Sequence, residues 1–191
     1  MLPLAPLLEL LPGPGEWTES DYFPLSERGR LVELSDGNIE VLPRPTDFHQ
    51  LILLRLAFEL HAFVMAHQLG QVRFAPLPVR LWPGKIREPD LMFMATAHAD
   101  RIGNYWGVPD LAVEIVSEGM ERHDRQIKRE EYGRAGIAEY WIVDPAARSI
   151  EILRLGATGY DLVQTLKGGD VLTSPMFPDF SVALTTIFTR A

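Results

Sequence analysis

Between residues 46 and 70 the apolar positions Leu53, Leu56, Leu60 and Val64 recur every three or four residues, the mark of a helix with one buried face. Thr46 or Asp47 is placed to cap its start, and Gly70 ends it just after Leu69. Elsewhere the apolar runs are short or alternate. Leu31–Leu34 and Ile39–Leu42 flank Ser35-Asp36-Gly37-Asn38, whose Asp-Gly step predicts a hairpin. Val72–Leu81 reads as a strand weakened by Pro76 and Pro78. Ile86–Met94 and Asp110–Val116 are further strands, separated by a long loop carrying Gly103, Gly107 and Pro109. Asp124 is read as the cap of a second helix that ends near Gly136. Glu139–Val143 is a strand stopped by Asp144-Pro145, Ser149–Leu155 and Tyr160–Leu166 form a hairpin, and Phe180–Phe188 is a strand-like tail.

A strand, helix and strand over residues 110–143 imply a right-handed parallel crossover, while the earlier strands can pair antiparallel. The pattern therefore predicts a mixed α/β sheet flanked by helices. Residues 1–29 are expected to form an irregular arm or short helix, and residues 30–191 a single domain, as suits 191 residues. The apolar start, Met1 to Leu11, lacks a basic leader and is broken by Pro3, Pro6 and Pro12. No stretch is read as a membrane span of ~20 apolar residues.

Composition adds limits. Cysteine is absent, which excludes disulfides, thiolate metal sites and cysteine nucleophiles, and suits a cytoplasmic setting. The net charge of −8 argues against a broad nucleic-acid coat, because phosphate binding needs clustered Lys and Arg. The five histidines include no i, i+4 pair, which disfavours zinc.

Two carboxylates stand out against apolar surroundings. Glu114 interrupts Leu111-Ala112-Val113-Glu114-Ile115-Val116, a strand otherwise apolar on both faces and so placed centrally. A buried carboxylate there needs a cation, a hydrogen-bond network or a raised pKa; a structural ion pair is the alternative. Asp90 opens Leu91-Met92-Phe93-Met94 after Pro89. If these strands pair, Asp90 and Glu114 converge, and two carboxylates plus water suit Mg²⁺. Asp110 shares a strand with Glu114 but stands ~13 Å from it, so it is expected to cap the strand entry. On the second helix, Lys128, Tyr132, Ala135 and Gly136 form one small or aromatic stripe that can face the sheet. Lys128 could then serve an attacking water or a phosphate, or it belongs to the surface ridge of Arg122, Arg125 and Arg129. That ridge could contact nucleic-acid phosphates, or pair with Glu118, Glu121, Glu130 and Glu131.

The run Pro109-Asp110-Leu111-Ala112-Val113-Glu114-Ile115-Val116-Ser117 resembles the signature of the Uma family of endonucleases, within the PD-(D/E)XK superfamily. So do Asp124-Arg125-x-x-Lys128-x-x-x-Tyr132, Gly136-Ile137-x-Glu139-Tyr140-Trp141-Ile142-Val143-Asp144, and Glu88-Pro89-Asp90. The resemblance spans roughly Glu33 to Phe188. It implies a restriction-endonuclease-like αβββαβ core with an added N-terminal hairpin and C-terminal strands, and Mg²⁺- or Mn²⁺-dependent hydrolysis of DNA phosphodiesters. Asp90 and Glu114 would hold the metal together with the Ile115 carbonyl. The superfamily lysine normally follows the acid by two residues, where this chain has Val116; in this family it resembles Lys128 instead. Glu33 matches a recurring family glutamate and would complete the site, and His49 also matches a family position, though a first-turn histidine is often structural. A homodimer would suit cleavage of two strands. An inactive nuclease-fold scaffold and a small-phosphoester hydrolase are the competing functions, motivated by Val116 and by the acidic charge.

Overall fold

The computed structural model describes residues 11–190; the first ten residues of the expected N-terminal arm lie outside it. Its elements in chain order begin with helix α1 (Glu19–Glu27) and strands β1 (Val32–Ser35) and β2 (Asn38–Val41), followed by helix α2 (Asp47–Ala66). Strands β3 (Gly70–Phe74), β4 (Val79–Trp82), β5 (Lys85–Arg87), β6 (Leu91–Ala95) and β7 (Leu111–Ile115) come next. Helix α3 is a π-helical segment, His123–Lys128, running directly into α-helical Arg129–Ala135. Strands β8 (Glu139–Asp144), β9 (Ser149–Gly156), β10 (Gly159–Lys167), β11 (Val171–Leu172) and β12 (Val182–Ala183) and helix α4 (Leu184–Phe188) complete the described chain.

The main sheet runs β10-β9-β8-β7-β6-β3, and a second sheet runs β2-β1-β5-β4. Strands β7 and β8 are parallel, joined across α3, while β6–β7 and β3–β6 are antiparallel. This is the mixed α/β sheet expected, with α2, β3, β6, β7, α3 and β8 supplying the αβββαβ order. Alternation along the central strands divides the core. Phe93, Leu111, Val113, Ile115 and Trp141 face α2 and its Ile52, Leu56 and Leu60. Met92, Met94, Ala112 and Ile142 face α3 and its Tyr132. By length and composition α2 could cross a membrane, a possibility not anticipated from sequence, but its buried stripe is spent on the sheet. A third cluster, Tyr22, Val32, Leu34 and Ile86, packs α1 onto the smaller sheet.

Several expected boundaries move. Val72–Leu81 is two strands in different sheets, because Pro76 and Pro78 have no N–H for a ladder. Ile86–Met94 likewise splits at Glu88-Pro89-Asp90, where the chain returns from the small sheet to the main one. Helix α2 stops at Ala66; Gln68 takes the left-handed conformation, and Gly70 opens β3. Thr46 does cap α2, its hydroxyl accepting from the His49 N–H at 3.2 Å. The C-terminal tail is a two-residue strand and then the short helix α4, which packs Leu184, Ile187 and Phe188 into the core.

Candidate active site

The antiparallel register pairs Leu91 with Val113, which sets Asp90 beside the end of β7. The Asp90 carboxylate accepts the Ile115 N–H at 2.7 Å. His49, in the first turn of α2, brings Nε2 to 3.2 Å from the same oxygen, Oδ2. The Asp90 pairing raises the His49 pKa against the opposing effect of burial, and its Nδ1 is buried with no partner among the described residues.

Glu114 is 4% exposed. One of its oxygens, Oε1, accepts from the Tyr132 hydroxyl at 2.5 Å and lies 2.9 Å from Lys128 Nζ. Lys128 also reaches Glu33 Oε1 at 3.4 Å and Asp124 Oδ1 at 3.8 Å. Burial pushes the Glu114 carboxyl well up, and Lys128 only partly offsets this because Asp90, Asp124 and Glu33 add like charge. Glu114 first, then Glu33 and Asp124, hold the Lys128 ammonium above its ordinary value despite its burial. The lysine is therefore a fixed cation, and Glu114 is the group short of positive charge.

These side chains open onto a cleft of about 240 Å³, lined by His49, Glu88, Asp90, Glu114, Asp124 and Lys128 among others. Ile115 lines it as well. Four carboxylates share this space with one lysine. Burial raises the pKa of Glu88, Glu114 and Asp124, which is the behaviour of oxygen groups lacking a counter-cation. An all-oxygen donor set of this kind fits a hard divalent ion such as Mg²⁺ or Mn²⁺.

Glu33 stands one step back from the cleft. It is fully buried, accepts the Glu88 N–H at 2.9 Å, and lies 2.8 Å from Arg87 Nη1. Burial works against its charge, but Lys128, His123 and Arg87 hold its carboxyl well below the usual range. Arg87, also fully buried, further bonds Glu40 at 2.5 Å and Glu131 at 2.7 Å. Ligand atoms of Glu33, Glu40 and His123 all lie within 4.8 Å of one another. The Arg87 guanidinium already supplies the positive charge between those two glutamates.

Sequence reasoning placed Asp90, Glu114, Lys128 and Glu33 in one neighbourhood, and the structure brings these four together. It treats the arginine ridge differently. Arg125 is drawn to Asp144 and Glu151, Arg129 donates to the Tyr160 carbonyl at 2.7 Å, and Arg122 is exposed beside Gln126. None of the three lines the cleft. Asp110 stands apart from the site, accepting the Ala95 N–H at 2.7 Å and meeting His98 at 2.7 Å.

Asp124 was misread. The helix begins before it, so its carboxylate caps nothing and points inward beside Lys128, 4% exposed. The available signal was its i, i+4 spacing to the inward lysine. Arg87 went unnoticed because nothing in the alternation of a three-residue strand marks a buried guanidinium.

The family model Uma2, described as "Putative restriction endonuclease", matches residues 18–186. The fold resembles the crystal structure of a putative nuclease belonging to DUF820 from Anabaena variabilis ATCC 29413. The TM-score is 0.73 at 16% identity, over 90% of this chain and 97% of that one. No curated protein matches the chain significantly. With the family model spanning nearly all of the described fold and the strand carboxylates, the lysine and the tyrosine in its frame, this chain belongs to the Uma2 family.

Proposed function

We propose that this protein is a metal-dependent endonuclease hydrolysing phosphodiester bonds in DNA. The observation that carries the reading is the convergence of Asp90 and Glu114 at one cleft with Lys128 fixed 2.9 Å from Glu114. Asp90, Glu114 and the Ile115 carbonyl would hold Mg²⁺ or Mn²⁺, with Asp124 as a further acidic neighbour. The bound ion would supply Lewis acidity toward the phosphate and a more acidic water. Asp90 is oriented for this by the Ile115 N–H and by His49. Tyr132 and Lys128 both fix Glu114 from the α3 side. Lys128, 2.9 Å from Glu114 and held above its ordinary pKa by the surrounding carboxylates, would act as an electrostatic partner of the phosphate or of the attacking water. Glu33 maintains that lysine rather than meeting the substrate.

The test is incubation of the purified protein with supercoiled, linear and single-stranded DNA in Mg²⁺ or Mn²⁺. Wild type should nick, and Asp90→Ala, Glu114→Ala and Lys128→Ala should each lose about 10²-fold or more. Equal background nicking by all four proteins would sink the reading. Saturable Mn²⁺ binding by calorimetry with no cleavage would instead favour the inactive scaffold.

A further inference from the structure

Two grooves lead away from the cleft, and their charges are opposite. One shares His49 and Ser117 with it and is lined by Asp47, Glu118, Glu121 and Asp144, with Arg190. The other shares Leu31, Leu42 and Pro45 with it, has a volume of about 760 Å³, and is lined by Arg30 and Arg44 with no carboxylate. Its floor is apolar, formed by Leu25, Leu31, Ile39 and Leu42 among others.

We propose that this second groove is the substrate track, in which Arg30 and Arg44 hold phosphates of a nucleic-acid strand whose scissile phosphate lies in the cleft beside Lys128. The inference rests on the nuclease reading and adds the binding residues that reading lacks. Both arginines are exposed, and among the described residues neither has an ion-pair partner. Several other basic groups nearby are paired with carboxylates: Lys85 and Arg87 with Glu131, and Arg125 with Asp144 and Glu151.

The backbone presents both side chains from fixed positions. The Leu42 N–H donates to the Leu31 carbonyl at 2.9 Å, extending the β1–β2 pairing toward the two arginines. Arg30 leaves α1 through Gly29, whose φ of 71° follows a Ser26 carbonyl bond at 2.8 Å. Arg44 precedes Pro45, which biases it toward extended backbone. Both arginines line the one groove beside the end of that pair, where a strand laid along it would meet them in turn. Preset backbone lowers the ordering cost of binding. The acidic groove repels the same strand, so the polarity of the two exits selects the path. This local patch also reconciles a phosphate ligand with a net charge of −8.

The experiment is fluorescence anisotropy of a labelled oligonucleotide in EDTA from 50 to 200 mM salt, with cleavage in Mn²⁺ measured on the same proteins. Arg30→Ala/Arg44→Ala should weaken binding and reduce the salt slope of log K by about two, one per lost phosphate contact. Arg154→Ala, exposed in β9 at the far end of the sheet, should leave both unchanged. If the double variant keeps the wild-type slope and affinity, the track is wrong even where cleavage proceeds. If wild type binds through these arginines and never cleaves, the nuclease reading fails and the track stands. If wild type binds no oligonucleotide at any salt, the track is overturned outright.

Discussion

Arg87→Met gives a quantitative test of the support behind the site. The side chain is fully buried, and its five contacts reach Glu33 at 2.8 Å, Glu40 at 2.5 Å, Glu131 at 2.7 and 2.9 Å, and Ser35 at 3.4 Å. Methionine keeps much of the volume and removes the charge. Glu33, with no exposed surface, would retain only Lys128 at 3.4 Å, the Glu88 N–H at 2.9 Å and the more distant His123. Glu131 would still have Lys85 at 2.8 Å, and Glu40, 35% exposed, can turn to water. The dominant loss is thus the buried Arg87–Glu33 pair, and breaking such a pair costs about 3–5 kcal/mol. For a domain of this size that lowers Tm by roughly 6–20 °C. Guanidinium unfolding followed by circular dichroism measures it. Adding Glu33→Gln to Arg87→Met should recover part of the loss, because no orphaned buried charge remains. A single variant within about 1 kcal/mol of wild type, or a double variant as weak as the sum of the singles, would refute the assignment.

Two further outcomes follow from local geometry. Glu88 is held by the Tyr22 hydroxyl at 2.8 Å, and burial raises its carboxyl above the ordinary 4.5. Its folded pKa lies above its unfolded one, so its contribution to stability is complete below about pH 4.5 and is lost as pH rises through the folded value. Glu88→Gln should therefore stabilise the protein at pH 7 and gain nothing below pH 4.5 in paired denaturant titrations; a gain independent of pH would contradict this. At Gly70 an added Cβ would sit 2.0 Å from the Met94 carbonyl oxygen across the β3–β6 pair. Gly70→Ala should cost more than about 1 kcal/mol, and an unchanged unfolding midpoint would show that the two strands can separate to admit it.

The central strand was legible because its signal is local. Leu111 to Val116 is apolar on both faces, so Glu114 stood out as the one residue whose burial needed a reason, and register then required Asp90 nearby. The β1–β2 hairpin and the parallel crossover were equally readable, since Asp36-Gly37 and the strand-helix-strand order carry their own geometry. The second sheet was hidden. Residues 72–81 and 86–94 each keep a strand-like pattern through the point where the chain changes sheets, and only Pro76, Pro78 and Pro89 marked the break. The Arg87 network was hidden for a related reason: Glu33, Glu40 and Glu131 reach it from two strands and a helix far apart in sequence. The arginine ridge showed the reverse failure, because helical spacing put Arg122, Arg125 and Arg129 on neighbouring turns without revealing that Asp144, Glu151 and Tyr160 lay within their reach.

The position of Lys128 depends on the winding of α3. In an α-helix each step of four residues overshoots a full turn by about 40°, so Asp124, Lys128 and Tyr132 would drift around the axis and one of them would leave the sheet face. A π-helical turn, closed by i→i+5 bonds, is wider, and four residues fall short of a full turn. The π-helical segment His123–Lys128 followed by α-helical Arg129–Ala135 therefore cancels the drift. All three side chains end up 4% exposed or less and aim at Glu114 or its neighbours. Val116 on β7's exit packs against the apolar side chains on the α3 side of the sheet. Carrying the cation on α3 thus ties the site to the winding of one crossover element. A change that restored α-helical winding at 123–128 would rotate Asp124 and Lys128 relative to Tyr132 while leaving the sheet intact.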